Sequence, residues 1–324
     1  MGSRLLEPTL VKKEVRFLGN KRANIVERIT AEILEPYLKI EADRSIKSSN
    51  EFTQDVLDHY ILGDEVFGVR MPWGVLDEKF RLRNGECTIL AGINSSGKSL
   101  LSGQILLNAM EQGEKCLSVS LEMSPRSQLI RMARQASLSV KPTVDFMMEF
   151  AEWSQDKLYF FDKRGSVDLN TLMAVVRYSL DHYGTRFILV DSLMTIAGVA
   201  SDDYNAQKQV AAAIAETARD LECHILLVAH ARKSMSIKDK IDRFSIRGAG
   251  ELADIVDNVL LLQRYYSDDA DEADAYMSVS KARHWDMAEC SIELFLDPPS
   301  LLLYTPTSPP RETEMKNGQS LESI

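Results

Sequence analysis

The chain lacks most of the features that would place it in a membrane or outside the cell. No apolar run in its 324 residues approaches the ~20 residues a membrane helix needs. The first ten residues, MGSRLLEPTL, contain no apolar h-region, which argues against a secretory signal. Leu6 stands where a myristoylation motif requires Ser or Thr. Cysteine is scarce: Cys87, Cys116, Cys223 and Cys290 lie far apart, and three of them begin or flank apolar runs. That spacing argues against a disulfide framework and suits small buried core residues in a reducing compartment. Aromatic residues are only 7% of the chain, and no internal repeat is visible. Positive charge is also in deficit. The 38 Lys and Arg against 48 Asp and Glu leave a net charge of −10. A chain that simply coats nucleic acid is basic, so any nucleic-acid contact here must come from a narrow, locally basic surface.

What is present is a 45% hydrophobic composition, enough for one large core with appendages. Residues 1–19 read as an arm. Over 20–40, Ile25, Ile29 and Ile33 recur at a spacing of four, widened by Val26 and Leu34, which predicts an apolar helix face ending near Pro36. EADRSIKSSNEFT then reads as a polar linker. Beyond it, short apolar strands alternate with helical patterns. Strands are expected at 87–92, 116–122, 157–162, 187–192 and 224–230, and a helix before Gly184. This alternation predicts an α/β fold with a mostly parallel central sheet covered by helices on both faces. After Gly248 the strands NVLLLQR, YMSVSKAR, CSIELFLD and SLLLY follow with short connections, which predicts an antiparallel C-terminal extension. The boundaries expected are 1–65 for the arm and linker helix, 66–305 for the main domain, and 306–324 for a disordered tail rich in Pro, Ser and Glu.

The strand at 87–92 runs into GINSSGKS, which satisfies the phosphate-loop pattern G-x-x-x-x-G-K-[ST] with Gly92, Gly97, Lys98 and Ser99. The preceding strand and the following helix are the context the chemistry requires. Backbone N–H groups of the loop (Asn94, Ser95, Ser96) and the helix start at Leu100 face the phosphates of ATP or another NTP. Lys98 reaches the outer phosphates, and Ser99 is a ligand for Mg²⁺. A second Mg²⁺-associated carboxylate is expected at a strand end, where Asp191 closes FILVD. Glu122, at the tip of a strand predicted to lie beside the phosphate-loop strand, is the candidate for activating water. His230 ends HILLVAH at the same height and has two readings, a γ-phosphate sensor or a satisfied structural histidine.

In order after the phosphate loop, the segments SLEMS, FILVDSL, LLVAHARK, SIRGAGELADIVDNVLLLQR and SKAR resemble the RecA-like motor domain of DnaB-type hexameric replicative helicases, including the helicase half of phage primase-helicases and the Twinkle helicase. The resemblance covers roughly residues 66–304. It implies that Glu122 activates the attacking water and that His230 couples the γ-phosphate to DNA contact. It also implies that Lys281 and Arg283 reach into the neighbouring subunit's site as fingers, and that Arg264 flanks the base. A basic loop, with Arg232, Lys233, Lys238, Lys240, Arg243 and Arg247 against Asp239 and Asp242, would then project into a ring's channel and grip single-stranded DNA. Gly248 and Gly250 would permit close backbone approach. The expected assembly is a hexamer, with a primase, loader or polymerase as further partners, in the cytoplasm of a bacterial or phage-infected cell or in an organelle. Two departures stand out: no primase or zinc module is recognisable, and SDDADEADA is a strongly acidic turn at a place that would face the channel.

Overall fold

The computed structural model describes residues 35, 49–62, 67–76, 80–196, 203–231, 249–265, 272–284 and 290–315. The helix expected over 20–40, the basic loop from Arg232 to Gly248 and most of the acidic turn lie outside them.

A short 3-10 turn and helix α1 (Thr53–Leu62) precede the main domain. A small two-stranded sheet follows, β1 (Val69–Arg70) with β2 (Arg81–Leu82). The main sheet then begins with β3 (Cys87–Gly92), followed by α2 (Lys98–Glu111), β4 (Cys116–Ser120), α3 (Pro125–Ser137), α4 (Val144–Ser154), β5 (Leu158–Phe160), α5 (Leu169–Tyr183), β6 (Phe187–Asp191), α6 (Tyr204–Asp220) and β7 (His224–His230). The chain continues through α7 (Ala249–Ile255), β8 (Asn258–Arg264), β9 (Ala275–Ala282), β10 (Cys290–Asp297) and β11 (Leu302–Tyr304). The order across the nine-stranded sheet is β11-β10-β9-β8-β3-β7-β6-β4-β5.

The central strands are buried on both faces because helices cover both, which explains why they are apolar at most positions on both faces and do not alternate with polar residues. Alternate residues feed two separate cores. Ile89, Ile188, Val190, Ile225 and Leu227 face α5 and α6. Leu90, Phe187, Leu189, Leu226 and Val228 face α2, α3, Trp73 and Phe80. The helices start where their sequences provide caps: Ser124, Thr143, Asp168 and Asp203 each accept a backbone N–H from the first turn. Gly184 closes α5 in the left-handed conformation.

Three expectations need correction. Strand β8 pairs in parallel with β3, so the antiparallel extension begins one strand later, at β9. The reason is α7: a helix between strands returns the chain in the same direction. Strand β4 is not beside β3, because β7 and β6 lie between them. Residues 306–315 are not a disordered tail. They run back over α2, where Arg311 forms a two-pronged pair with Glu111 (3.1 and 2.8 Å) and Thr313 N–H donates to Ala136 O at 2.9 Å. Two acceptors of the main domain draw the segment down: the carboxylate at the end of α2 and the carbonyl of Ala136 in the last turn of α3. At the acidic turn, Asp274 lies next to β9 and its carboxylate accepts the N–H of Leu296 at 2.7 Å.

Candidate nucleotide site

The parallel strands end together along one edge. Gly92 is level with His230, and Ser120 with Asp191. In open α/β sheets this C-terminal edge is where ligands bind. A cavity of about 700 Å³ opens there, bordered by Asn94, Ser95, Gly97, Lys98, Ser99 and Leu100 of the loop and α2, and by Glu122, Asp191, His230 and Arg264. The four strand-end residues singled out from sequence therefore meet the phosphate loop.

Glycine is required at two points of the loop. A side chain at Gly92 would sit 2.5 Å from the backbone oxygen of Leu262 on the neighbouring strand. Gly97 has φ +97°, in the left-handed region, where the chain turns into α2. Ser95 also has positive φ, at 63°. Ser96 is buried, with its hydroxyl turned inward toward Gly92.

The Lys98 ammonium donates to the carbonyls of Gly92 (2.9 Å) and Ile93 (2.8 Å), folded over its own loop. Burial lowers its pKa to about 8, against the opposing pull of Asp191 and Glu122. The Ser99 hydroxyl lies 3.4 Å from Asp191 Oδ2. Burial first, then the neighbouring Glu122, raises the pKa of Asp191 to about 6, and Lys98, Ser99 and Arg131 only partly offset this. A hydroxyl and a carboxylate side by side are hard oxygen donors, the set that suits Mg²⁺ completed by water and phosphate oxygens. No cluster of three His, Cys, Asp or Glu suited to holding a metal by itself occurs among the described residues.

Glu122 reaches the site although two strands separate β4 from β3. It lies just beyond the end of β4, where Leu121 N–H donates to Asp191 O at 3.0 Å and ties that end to β6. Its Oε1 accepts from the Ser192 hydroxyl at 2.8 Å and lies 3.8 Å from His230 Nε2. Two residues of the site escaped the sequence reading. Arg131, on α3, borders the cavity and acts on the Asp191 charge, but nothing in the spacing of Arg126, Arg131 and Arg134 singles it out. Ser192 reads as an ordinary residue after a strand.

Lys281 and Arg283 are not in this cavity. Strand β9 runs antiparallel to β8 and sets Lys281 opposite Val259. That is five residues, about 17 Å of strand, from Arg264. Both cations instead hold the C-terminal end of α7. Lys281 donates to the carbonyls of Ala253, Asp254 and Val256 (2.7–3.1 Å). Arg283 donates to those of Asp254 and Ile255 and pairs with the buried Asp257 at 2.9 Å. Gly250 lies in the first turn of α7.

A phosphate loop, a strand-end aspartate and a helix-covered parallel sheet define this chain as a P-loop ATPase of the RecA-like fold. The chain belongs to the KaiC-type ATPase family, whose model matches residues 74–295. Among solved structures, it resembles an ATPase domain that it spans almost whole, with a TM-score of 0.69 and 19% identity over 81% of this chain and 99% of that one. It also resembles a DnaB-like replicative helicase described with its interactions with primase, with a TM-score of 0.66 and 17% identity over 91% of this chain and 75% of that one. At these identities the likeness establishes the fold.

Proposed function

We propose that this chain is a subunit of a ring-forming motor that hydrolyses ATP or another NTP, moves along single-stranded DNA and unwinds duplex. The observation that carries the proposal is the placement of Lys281 and Arg283. They stand at the opposite edge of the sheet from their own nucleotide cavity, beyond the reach of either side chain. If these cations serve a nucleotide, it is one bound to another subunit, and a head-to-tail ring supplies that geometry. An arginine delivered in trans is worth about 10³–10⁵ in kcat.

Within the cavity, Lys98 and the loop N–H groups hold the phosphates and Glu122 takes the proton of the attacking water. His230, 3.8 Å from that carboxylate, reports phosphate release to the chain that follows β7 in this proposal. Ser99 and Asp191 would hold Mg²⁺, which supplies charge neutralisation between phosphates. Arg232, Lys233, Lys238, Lys240, Arg243 and Arg247 lie in the segment that follows His230 in sequence, and they are the DNA-gripping surface of this proposal.

Exposed apolar residues support self-association. Tyr60 and Ile61 of α1 are 80% and 73% exposed, and Val140, Val144 and Met148 around α4 are also exposed. We assign α1 to docking on that patch of the next subunit, beside whatever the Ile25, Ile29 and Ile33 face contributes. Scattered exposed side chains are ordinary, but two separate apolar surfaces on one chain fit a repeated heterologous contact.

The KaiC-type family match favours a second reading, an ATPase ring or ATP-gated DNA-binding protein without unwinding. The test is ATPase activity with and without single-stranded DNA, together with unwinding of a forked duplex. Stimulation with unwinding supports the motor, and stimulation without unwinding selects the second reading. Replacing Lys238 and Lys240 by Ala should weaken DNA binding and lower its salt slope by about 2. An unchanged slope would remove the loop from the DNA path. A primase partner, suggested by the resemblance to the DnaB-like helicase, is tested by co-sedimentation with the assembled ring.

A further inference from the structure

Ser192 follows the metal-site aspartate and is completely buried. Its backbone is held by Thr195: Ser192 N–H donates to Thr195 Oγ1 at 3.2 Å, and that hydroxyl donates back to Ser192 O at 2.6 Å. Thr195 N–H bonds the same carbonyl at 3.1 Å. One residue earlier, the Asp191 carbonyl takes the N–H of Leu121. The ends of β4 and β6 are thus joined into one frame. From it the Ser192 hydroxyl donates to Glu122 Oε1 at 2.8 Å.

Glu122 needs such a tether. Its side chain is 48% exposed, on a flexible three-torsion stem at the rim of the cavity. The oxygen that Ser192 holds is also the one nearest His230 Nε2. A carboxylate has two oxygens, so Oε2 is left to accept a proton. We infer that Ser192 is a positioning residue that fixes the Glu122 carboxylate with Oε2 turned to the attacking water, an inference that rests on reading Glu122 as the base for hydrolysis. Ser192 does not border the cavity and acts through Glu122. The effect is orientational: a base displaced by about 1 Å can cost as much as ~100-fold in rate.

The test is steady-state ATPase activity of the full chain with Mg²⁺ and single-stranded DNA, alongside binding of a fluorescent ADP analogue. Ser192→Ala should lower kcat by about tenfold or more, with KM and analogue affinity unchanged within about twofold. Ser192→Thr, which keeps the donor, should recover most of the loss. The double variant Ser192→Ala with Glu122→Gln should fall no further than Glu122→Gln alone, because the two act as a unit. The inference is overturned if Ser192→Ala keeps wild-type kcat, if Thr does no better than Ala, or if the losses in the double variant multiply. If Glu122→Gln is inactive while Ser192→Ala is fully active, only the role of Ser192 fails. If Glu122→Gln itself hydrolyses normally, the base assignment fails and takes this inference with it.

Discussion

Replacing Asp191 by Asn should make the empty domain more stable while abolishing its hydrolysis. Asp191 is 4% exposed, and burial together with the charge of Glu122 raises its pKa from 3.8 to about 6. A raised folded-state pKa means that the folded protein holds this proton more tightly than the unfolded chain does. The stabilisation it brings is present below the unfolded value and is lost as pH rises through about 6. At pH 8 the carboxylate is ionised in both states. The shift of about two units then makes the wild-type fold about 3 kcal/mol less stable than one carrying a neutral group there. Asn keeps the shape and an acceptor for Ser99 without the charge. For a domain of this size that corresponds to a rise in Tm of roughly 6–12 °C. Near pH 5 the wild-type carboxyl holds its own proton in the fold, and the gain should shrink to about half. The assay is thermal melting in EDTA without nucleotide across this pH range, paired with Mg²⁺-dependent ATPase measurements. Added Mg²⁺ and nucleotide should raise the wild-type Tm by mass action and raise that of the variant much less. A variant that melts lower than wild type at pH 8, or whose gain is the same at pH 5 and pH 8, would refute this account of the site.

Two other perturbations probe the edges of the fold. Arg283→Ala should cost about 1–2 kcal/mol of stability, because α7 loses a C-terminal donor and the buried Asp257 loses its cation, with part of that pair screened by solvent. It should also abolish hydrolysis while leaving nucleotide binding intact. Mixing Arg283→Ala subunits with Lys98→Ala subunits should restore some activity, because mixed interfaces can unite an intact loop with an intact finger; no recovery would sink the trans assignment. Arg311→Ala removes the pair that fastens residues 306–315 to α2, and on an exposed surface this should lower Tm by only about 1–4 °C. A larger fall in a melting curve would mean that the segment is integral to the core.

How legible the chain is depends on the range of the interaction involved. Helix and strand positions follow from apolar periodicity and capping residues, which act over a few residues. The segments 87–92, 224–230 and 290–297 emerge with the same limits in the structure. The phosphate loop is equally local: Gly97, Lys98 and Ser99 need only a strand before them and a helix after. Asp191, Glu122 and His230 could be placed at one edge from sequence because any acid or His at the end of a parallel strand arrives there, whatever the strand order. That order itself was not legible. Two strands intervene between β3 and β4, since pairing is decided by how helices and apolar faces fill both layers and not by any one strand's residues. Helix α1 begins where the polar linker ends, with Val56, Leu57, Tyr60 and Ile61 at helical spacing, but only the structure shows that this apolar face is exposed and not part of the core.

The amino-acid sequence by itself determined that this protein holds a nucleotide, and with which loop, because a phosphate cradle is built from contiguous backbone. Only the tertiary structure decided which distant side chains complete the site. The Ser192 hydroxyl reaches Glu122 across 70 residues of chain, and Arg131 comes to border the cavity from α3, between elements whose neighbours no local pattern specifies. It alone also decided that Lys281 and Arg283 stand at the far end of β8, because the antiparallel return of β9 carries them away from their own cavity.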